Sequence, residues 1–67
     1  MSKLKEKREE KRYTQEQMAT FLGISTSAYH YYETGQRGIS KENADKIIKI
    51  LNVDKDDIFL PASYSLR

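Results

Sequence analysis

The chain has no cysteine, no tryptophan, one proline, one histidine and three glycines in 67 residues. Without cysteine it forms neither disulfides nor thiolate metal sites, which fits a reducing, cytoplasmic setting. Long apolar runs are also missing. The most apolar stretch, Ile47-Ile48-Lys49-Ile50-Leu51, is far shorter than a bilayer and is broken by a lysine, so no membrane span is expected. The N-terminus is charged with no apolar segment behind it, and no secretion signal is expected there. Glycine loops that cradle phosphates, activated nucleophile pairs and carboxylates set across a cleft are all lacking; Glu9 and Glu10 are helix neighbours that point apart. So small a core leaves no room for an enclosed pocket, and the chain is expected not to be an enzyme and to need no cofactor.

What is present is one small domain. A single core of this size is marginally stable, and without disulfides or a metal the remaining route to more burial is a second copy of the chain. The formal net charge is only +2, but residues 1–12 carry six basic against three acidic side chains, while residues 54–57 carry three aspartates against one lysine. A basic end and an acidic end suggest an oriented approach to a polyanion; the alternative is an ordinary solvated helix face.

Helix punctuation recurs throughout, and the periodicity predicts five helices. The first spans about Ser2 to Lys11, with a thin apolar face in which Leu4 is the one strong residue. Thr14-Gln15-Glu16-Gln17 has the capping-box pattern and opens the second, where Met18, Ala19 and Leu22 share a face up to Gly23. Ser25 caps the third, Thr26 to about Thr34, ended by Gly35. Its inward face is Ala28, Tyr29 and Tyr32; its outward face, Thr26, Ser27, His30 and Tyr31, carries no charge but many hydrogen-bonding groups. Ser40 caps the fourth, whose Ala44, Ile47, Ile48 and Leu51 form the best amphipathic stripe, ending near Asn52. Asp54 caps a short fifth helix carrying Ile58, Phe59 and Leu60, with Pro61 as its stop.

Residues 15–35 read as one unit: capped helix, Gly23-Ile24-Ser25 turn, capped helix, glycine stop. Two short helices joined so tightly, with Ala19 at the crossing, form a helix-turn-helix. Its second helix fits a DNA major groove, and an uncharged, hydrogen-bonding outer face is what reading base edges requires, since lysines would bind any sequence alike. At these residues the chain resembles the Cro/CI-type (Xre) regulators of phages and bacteria. The likeness runs over about residues 4–60 through Leu4, Arg8-Glu9, Thr14-Gln15-Glu16, Met18-Ala19, Leu22-Gly23-Ile24-Ser25, Ser27, Tyr32-Glu33, Gly35, Ser40, Leu51, Val53 and Ile58.

The resemblance implies an all-α, compact five-helix, lambda-repressor-like DNA-binding domain over residues 1–60, with a short tail at 61–67. It implies base reading by Thr26, Ser27 and Tyr31, with His30 beside them, and backbone contacts by Gln15, Ser25 and Thr34. Gln36 and Arg37 in the following loop are further backbone candidates. For Gln15 there is also a physical reason, because a helix N-terminus offers free amides and a positive dipole end. Arg8 and Glu33 match a family ion pair that would hold the first helix; the alternative is two solvated charges. Departures from the family pattern fall at Lys7, Arg12, Phe21, Ile39 and Ile48.

Several residues admit two readings. The spacing of Tyr29 and Tyr32 favours core burial over base stacking, whereas Tyr31 points outward, to DNA or onto a neighbouring helix. His30 and Glu33 lie at i, i+3, but with no cysteine and no second histidine a metal site is not expected. Phe21, Phe59, Leu60, Tyr64 and Leu66 exceed what one small core needs; the fifth helix and tail are the candidate homodimer surface, with Phe59, Leu60 and Tyr64 in it, and the alternative is scattered exposed apolar residues. The expectation is thus a sequence-specific regulator of double-stranded DNA, a repressor acting as a homodimer on a pseudo-palindromic operator. The alternative is a protein-interaction module, such as an antitoxin-like partner of an unlike protein.

Overall fold

The computed structural model describes residues 2–60 and 64–67. Its helices follow in the order α1 (Lys3–Glu10), α2 (Gln15–Leu22), α3 (Thr26–Thr34), α4 (Lys41–Leu51) and α5 (Lys55–Ile58). Four begin at a hydroxyl cap: Ser2, Thr14, Ser25 and Ser40 each accept from the amide three residues on, at 3.2, 3.0, 3.0 and 3.2 Å. Such a cap satisfies one of the amides a helix start leaves unpaired, worth about 1 kcal/mol. At α2 the exchange is reciprocal, since the Thr14 amide donates to Gln17 Oε1 at 2.9 Å.

Left-handed residues close α2, α3 and α4: Gly23 (φ 71°), Gly35 (φ 80°) and Asn52 (φ 54°). A Cβ at either glycine would meet nothing within 4 Å, so glycine is required there by the backbone and not by space. Arg12, where the family commonly has glycine, also takes a left-handed conformation (φ 61°). The turn between α1 and α2 therefore keeps the shape a glycine would give it, at a steric cost.

Every helix feeds one core. Leu4, Met18, Leu22, Tyr29, Ile47, Leu51 and Ile58 are almost or wholly inaccessible, and Ile39 joins them from the loop before α4. Asn43 Nδ2 donates to the Tyr32 hydroxyl at 3.0 Å and ties α4 to α3.

Three expectations need correction. The fifth helix ends at Ile58, not near Pro61, which lies outside the described residues; Phe59 is already extended and pairs with Leu66 in an antiparallel bridge. The Leu60 amide donates to the Ser65 carbonyl at 2.8 Å, Arg67 N to Ile58 O at 2.9 Å, and Lys3 N to Arg67 O at 3.4 Å, so residues 64–67 fold back beside α1 and α5. Second, this return buries Phe59 completely within the chain's own core, which removes it from any surface a partner could touch. Third, the basic and acidic ends do not lie apart. α1 packs on α5, and Lys7 and Lys11 share a shallow cleft with Asp54 and Asp57, so part of the basic segment lies beside the acidic one.

Candidate nucleic-acid interface

The most extensive helix–helix contact is between α2 and α3. Ala19, at 2% exposure, provides the close approach, and the left-handed Gly23 turns the chain so that Ser25 caps α3 immediately. Ala28, Tyr29, Tyr32 and Glu33 are consequently buried, leaving Thr26, Ser27, His30 and Tyr31 exposed on the other side of α3. The four proposed base-reading side chains therefore share one accessible face without a charged group among them.

The proposed backbone contacts lie around this face. Ser25 is exposed, but its hydroxyl is engaged as the α3 cap. The capping groups use the amides of Thr14, Gln17 and Ala28, leaving those of Gln15, Glu16, Thr26 and Ser27 without a partner among the described residues. Those amides sit at the positive ends of α2 and α3, where an anion is favoured. Thr34, Gln36 and Arg37 are exposed; the Thr34 hydroxyl donates to the Tyr31 carbonyl at 3.2 Å. The Arg37 amide donates to the same carbonyl at 3.2 Å, and its guanidinium lies 5.9 Å from the Tyr31 ring centroid. Arg37 is thus held against α3 by a cation–π contact and a backbone bond, a tie with no local signature in the sequence.

Arg8 and Glu33 lie in direct contact, with Arg8 Nε 2.6 Å from Glu33 Oε2 and Nη2 3.3 Å from Oε1, both residues being 8% exposed. The third arm of the guanidinium donates to the Tyr13 carbonyl at 2.8 Å, so one side chain fastens α1 to α3 and to the turn before α2. Burial alone would raise the Glu33 carboxyl, but hydrogen bonding from Arg8 and Gln15, with Tyr29 alongside, holds it below the usual carboxylate range. The bond to Glu33 in turn raises Arg8. Among the described residues the buried Tyr29 hydroxyl has no hydrogen-bond partner at bonding geometry; burial and then the neighbouring Glu33 carboxylate push its pKa up. It stays neutral, and the pocket it fills belongs to the core.

Gln15 was expected to hold a phosphate through its position at the α2 N-terminus. Its side chain is half-buried and turned inward instead, with Nε2 donating to Glu33 Oε1 at 3.0 Å and lying 3.4 Å from His30 Nδ1. Its backbone amide is what remains for an anion. Beside it, an open cleft is lined by Lys5, His30, Thr34 and Arg67, which brings two cations of α1 and the tail next to the outer face of α3. Neither was singled out from sequence, because Lys5 is brought there by the docking of α1 on α3 and Arg67 by the tail folding back.

The helix-turn-helix family model matches residues 4–58, most of the chain. The chain belongs to the helix-turn-helix family, in its Cro/CI (Xre) branch. Among curated relatives, this domain is 43% identical over 51 residues to proteins provisionally named HTH-type transcriptional regulatory proteins from Saccharolobus islandicus and Saccharolobus solfataricus. The aligned segment is 76% of this chain but only 16% of each relative, so the chain spans a small part of their length.

The positions where this helix-turn-helix domain departs from the family pattern have distinct fates. Ile39 is buried in the core and Ile48 half-buried against it. Lys7 is half-buried and pairs with Glu10 at 3.8 Å. Phe21 remains 49% exposed, with its ring edge-on to Tyr13 at 5.4 Å. Of the proposed dimer residues other than Phe59, Leu60 is 41% exposed and Tyr64 half-buried, its ring against Phe59 at 5.8 Å. No helix among the described residues is long and apolar enough to cross a membrane.

Proposed function

We propose that this helix-turn-helix domain reads double-stranded DNA by sequence and acts as a homodimeric transcriptional repressor in the cytoplasm, with no catalytic role. The observation that carries the reading is the outer face of α3. Thr26, Ser27, His30 and Tyr31 are all exposed, uncharged and able to hydrogen-bond, next to amides at the starts of α2 and α3 that have no partner among the described residues. Free amides and Arg37 suit phosphates, which fix position, while the uncharged face suits base edges, which carry sequence. The naming of the relatives as transcriptional regulators agrees with this use.

A dimer would place two α3 helices about 34 Å apart, one DNA turn, on a pseudo-palindromic site. With Phe59 inside the protomer, the dimer surface falls to exposed Leu60 with Tyr64 at its margin. Selection of sites from a random duplex pool at near-physiological salt tests the proposal, with light scattering of the free protein alongside. An enriched inverted repeat with half-sites one turn apart and a dimeric mass is expected. A second reading, in which an unlike protein is the main ligand, is favoured by Phe21, half-exposed on α2 beside the ring of Tyr13. Failure to enrich any motif, together with co-purification of a stoichiometric partner, would select it.

A further inference from the structure

The contacts around Gln15 bear on what His30 can present to DNA. Arg8 and Glu33 form a buried ion pair, and a carboxylate so paired only accepts hydrogen bonds. The Gln15 atom 3.0 Å from Glu33 Oε1 must therefore be the amide nitrogen and not its oxygen, which settles the orientation of the whole amide. That same nitrogen has a second hydrogen, and it lies 3.4 Å from His30 Nδ1. Facing a donor, Nδ1 must offer a lone pair. In a neutral imidazole whose Nδ1 accepts, the proton resides on Nε2.

We propose that Gln15 is a positioning residue that holds His30 as the Nε2–H tautomer, so that His30 offers DNA a donor and never an acceptor. Information passes from the fold to the interface in three steps: Arg8 fixes Glu33, Glu33 fixes Gln15, and Gln15 fixes the ring. In the major groove an Nε2–H pairs with N7 of a purine, O6 of guanine or O4 of thymine, and is refused by the amino group of cytosine. A phosphate oxygen is an acceptor too. The inference rests on the DNA-binding reading for its role, but not for the tautomer itself.

His30 is the chain's only histidine, so the two ring nitrogens can be read from the ¹⁵N NMR of the intact protein without assignment. At a pH where the ring is neutral, a pyrrole-like Nε2 and a pyridine-like Nδ1 are expected. In Gln15→Met, which keeps the length but removes the donor, both shifts should move toward the tautomer mixture of free imidazole. A wild-type ring protonated on Nδ1 overturns the proposal with no variant needed, so the stability of Gln15→Met does not decide the matter.

Site selection supplies the second arm. His30→Ala should abolish preference at one base pair, and Gln15→Met should weaken it several-fold at that same base pair while sparing the others. A uniform loss across all sequences, with the nitrogen shifts moved, keeps the donor and makes its acceptor a phosphate. Unchanged shifts together with an unchanged motif in Gln15→Met overturn the proposal alone. A wild type that enriches no motif overturns the DNA reading, and with it the role of His30, whatever the nitrogens show.

Discussion

Replacing Glu33 with glutamine leaves Arg8 charged and buried without its counter-charge, while its bond to the Tyr13 carbonyl at 2.8 Å remains. The charge is removed from under the 2.6 Å bond to Nε and the 3.3 Å bond to Nη2, made by a carboxylate whose side chain is only 4% exposed, and a single amide oxygen can keep only one of the two. An amide at this place keeps one acceptor, but its NH₂ must face either the guanidinium, a donor against a donor, or Gln15, whose amide would then have to turn over to accept. Breaking a buried pair by removing one charge costs about 3–5 kcal/mol. Folded domains hold roughly 0.05–0.15 kcal/mol per residue, so a chain of this length has about 3–10 kcal/mol in all. The substitution should consequently remove a large part of the stability. In so small a domain each kcal/mol moves Tm by about 4–8 °C, and a fall of at least about 12 °C is expected in melts followed by circular dichroism. Arg8→Met with Glu33→Leu should recover most of the loss, because well-packed apolar replacements of a buried pair are often near neutral. A Glu33→Gln protein melting within about 3 °C of wild type would refute the reasoning, as would a double variant no better than the single one.

The pH dependence follows from the same pair. The folded-state pKa of Glu33 lies below its unfolded value of about 4.3, so its contribution is complete above that value and is lost as pH falls through it toward the folded pKa. Between about pH 5 and pH 3 the wild-type Tm should fall more steeply than that of Arg8→Met/Glu33→Leu; parallel slopes would remove Glu33 from the acid response. Arg12→Gly should raise stability by up to about 1 kcal/mol, since it relieves a left-handed arginine at about 1–2 kcal/mol while adding freedom to the unfolded chain; a lower Tm in the same melts would contradict this. Arg37→Ala should weaken binding to all duplexes alike and flatten the salt slope by about one unit. A change of preferred sequence without a change of slope in anisotropy titrations would make Arg37 a base reader instead.

The features legible in the sequence are those set by residues three or four apart. Thr14, Ser25 and Ser40 announce helix starts, because a cap bonds the amide three residues on. Gly23, Gly35 and Asn52 announce ends, because few residue types tolerate a positive φ. The exposed face of α3 followed from the 3.6-residue period alone. Contacts joining distant positions were not legible from spacing. Gln15 reaches Glu33 across eighteen residues and Asn43 reaches Tyr32 across eleven, and neither pairing has a pattern that period or composition would reveal. Arg8 with Glu33, twenty-five residues apart, was visible only through family resemblance.

Phe59 shows the same limit in another form. The sequence records a surplus of apolar side chains near the C-terminus, but not whether they cover this chain or another. α1 contributes only Leu4 to the core, and Phe59 lies in the same apolar cluster once the chain turns extended after Ile58. Truncation after Asp57 would strip two buried residues from the core, so it is no test of dimerisation; substitution of exposed Leu60 is.

The central claim is that the uncharged outer face of α3 reads base edges. Replacing Thr26, Ser27, His30 and Tyr31 together with alanine tests it most directly, with sites selected from a random duplex pool for both proteins and the fold checked by NMR dispersion. The expected result is a folded variant that still binds duplex DNA in a salt-sensitive way but enriches no motif, beside a wild type that enriches an inverted repeat. A folded variant that enriches the same motif as wild type would contradict the claim and place sequence reading elsewhere on the domain.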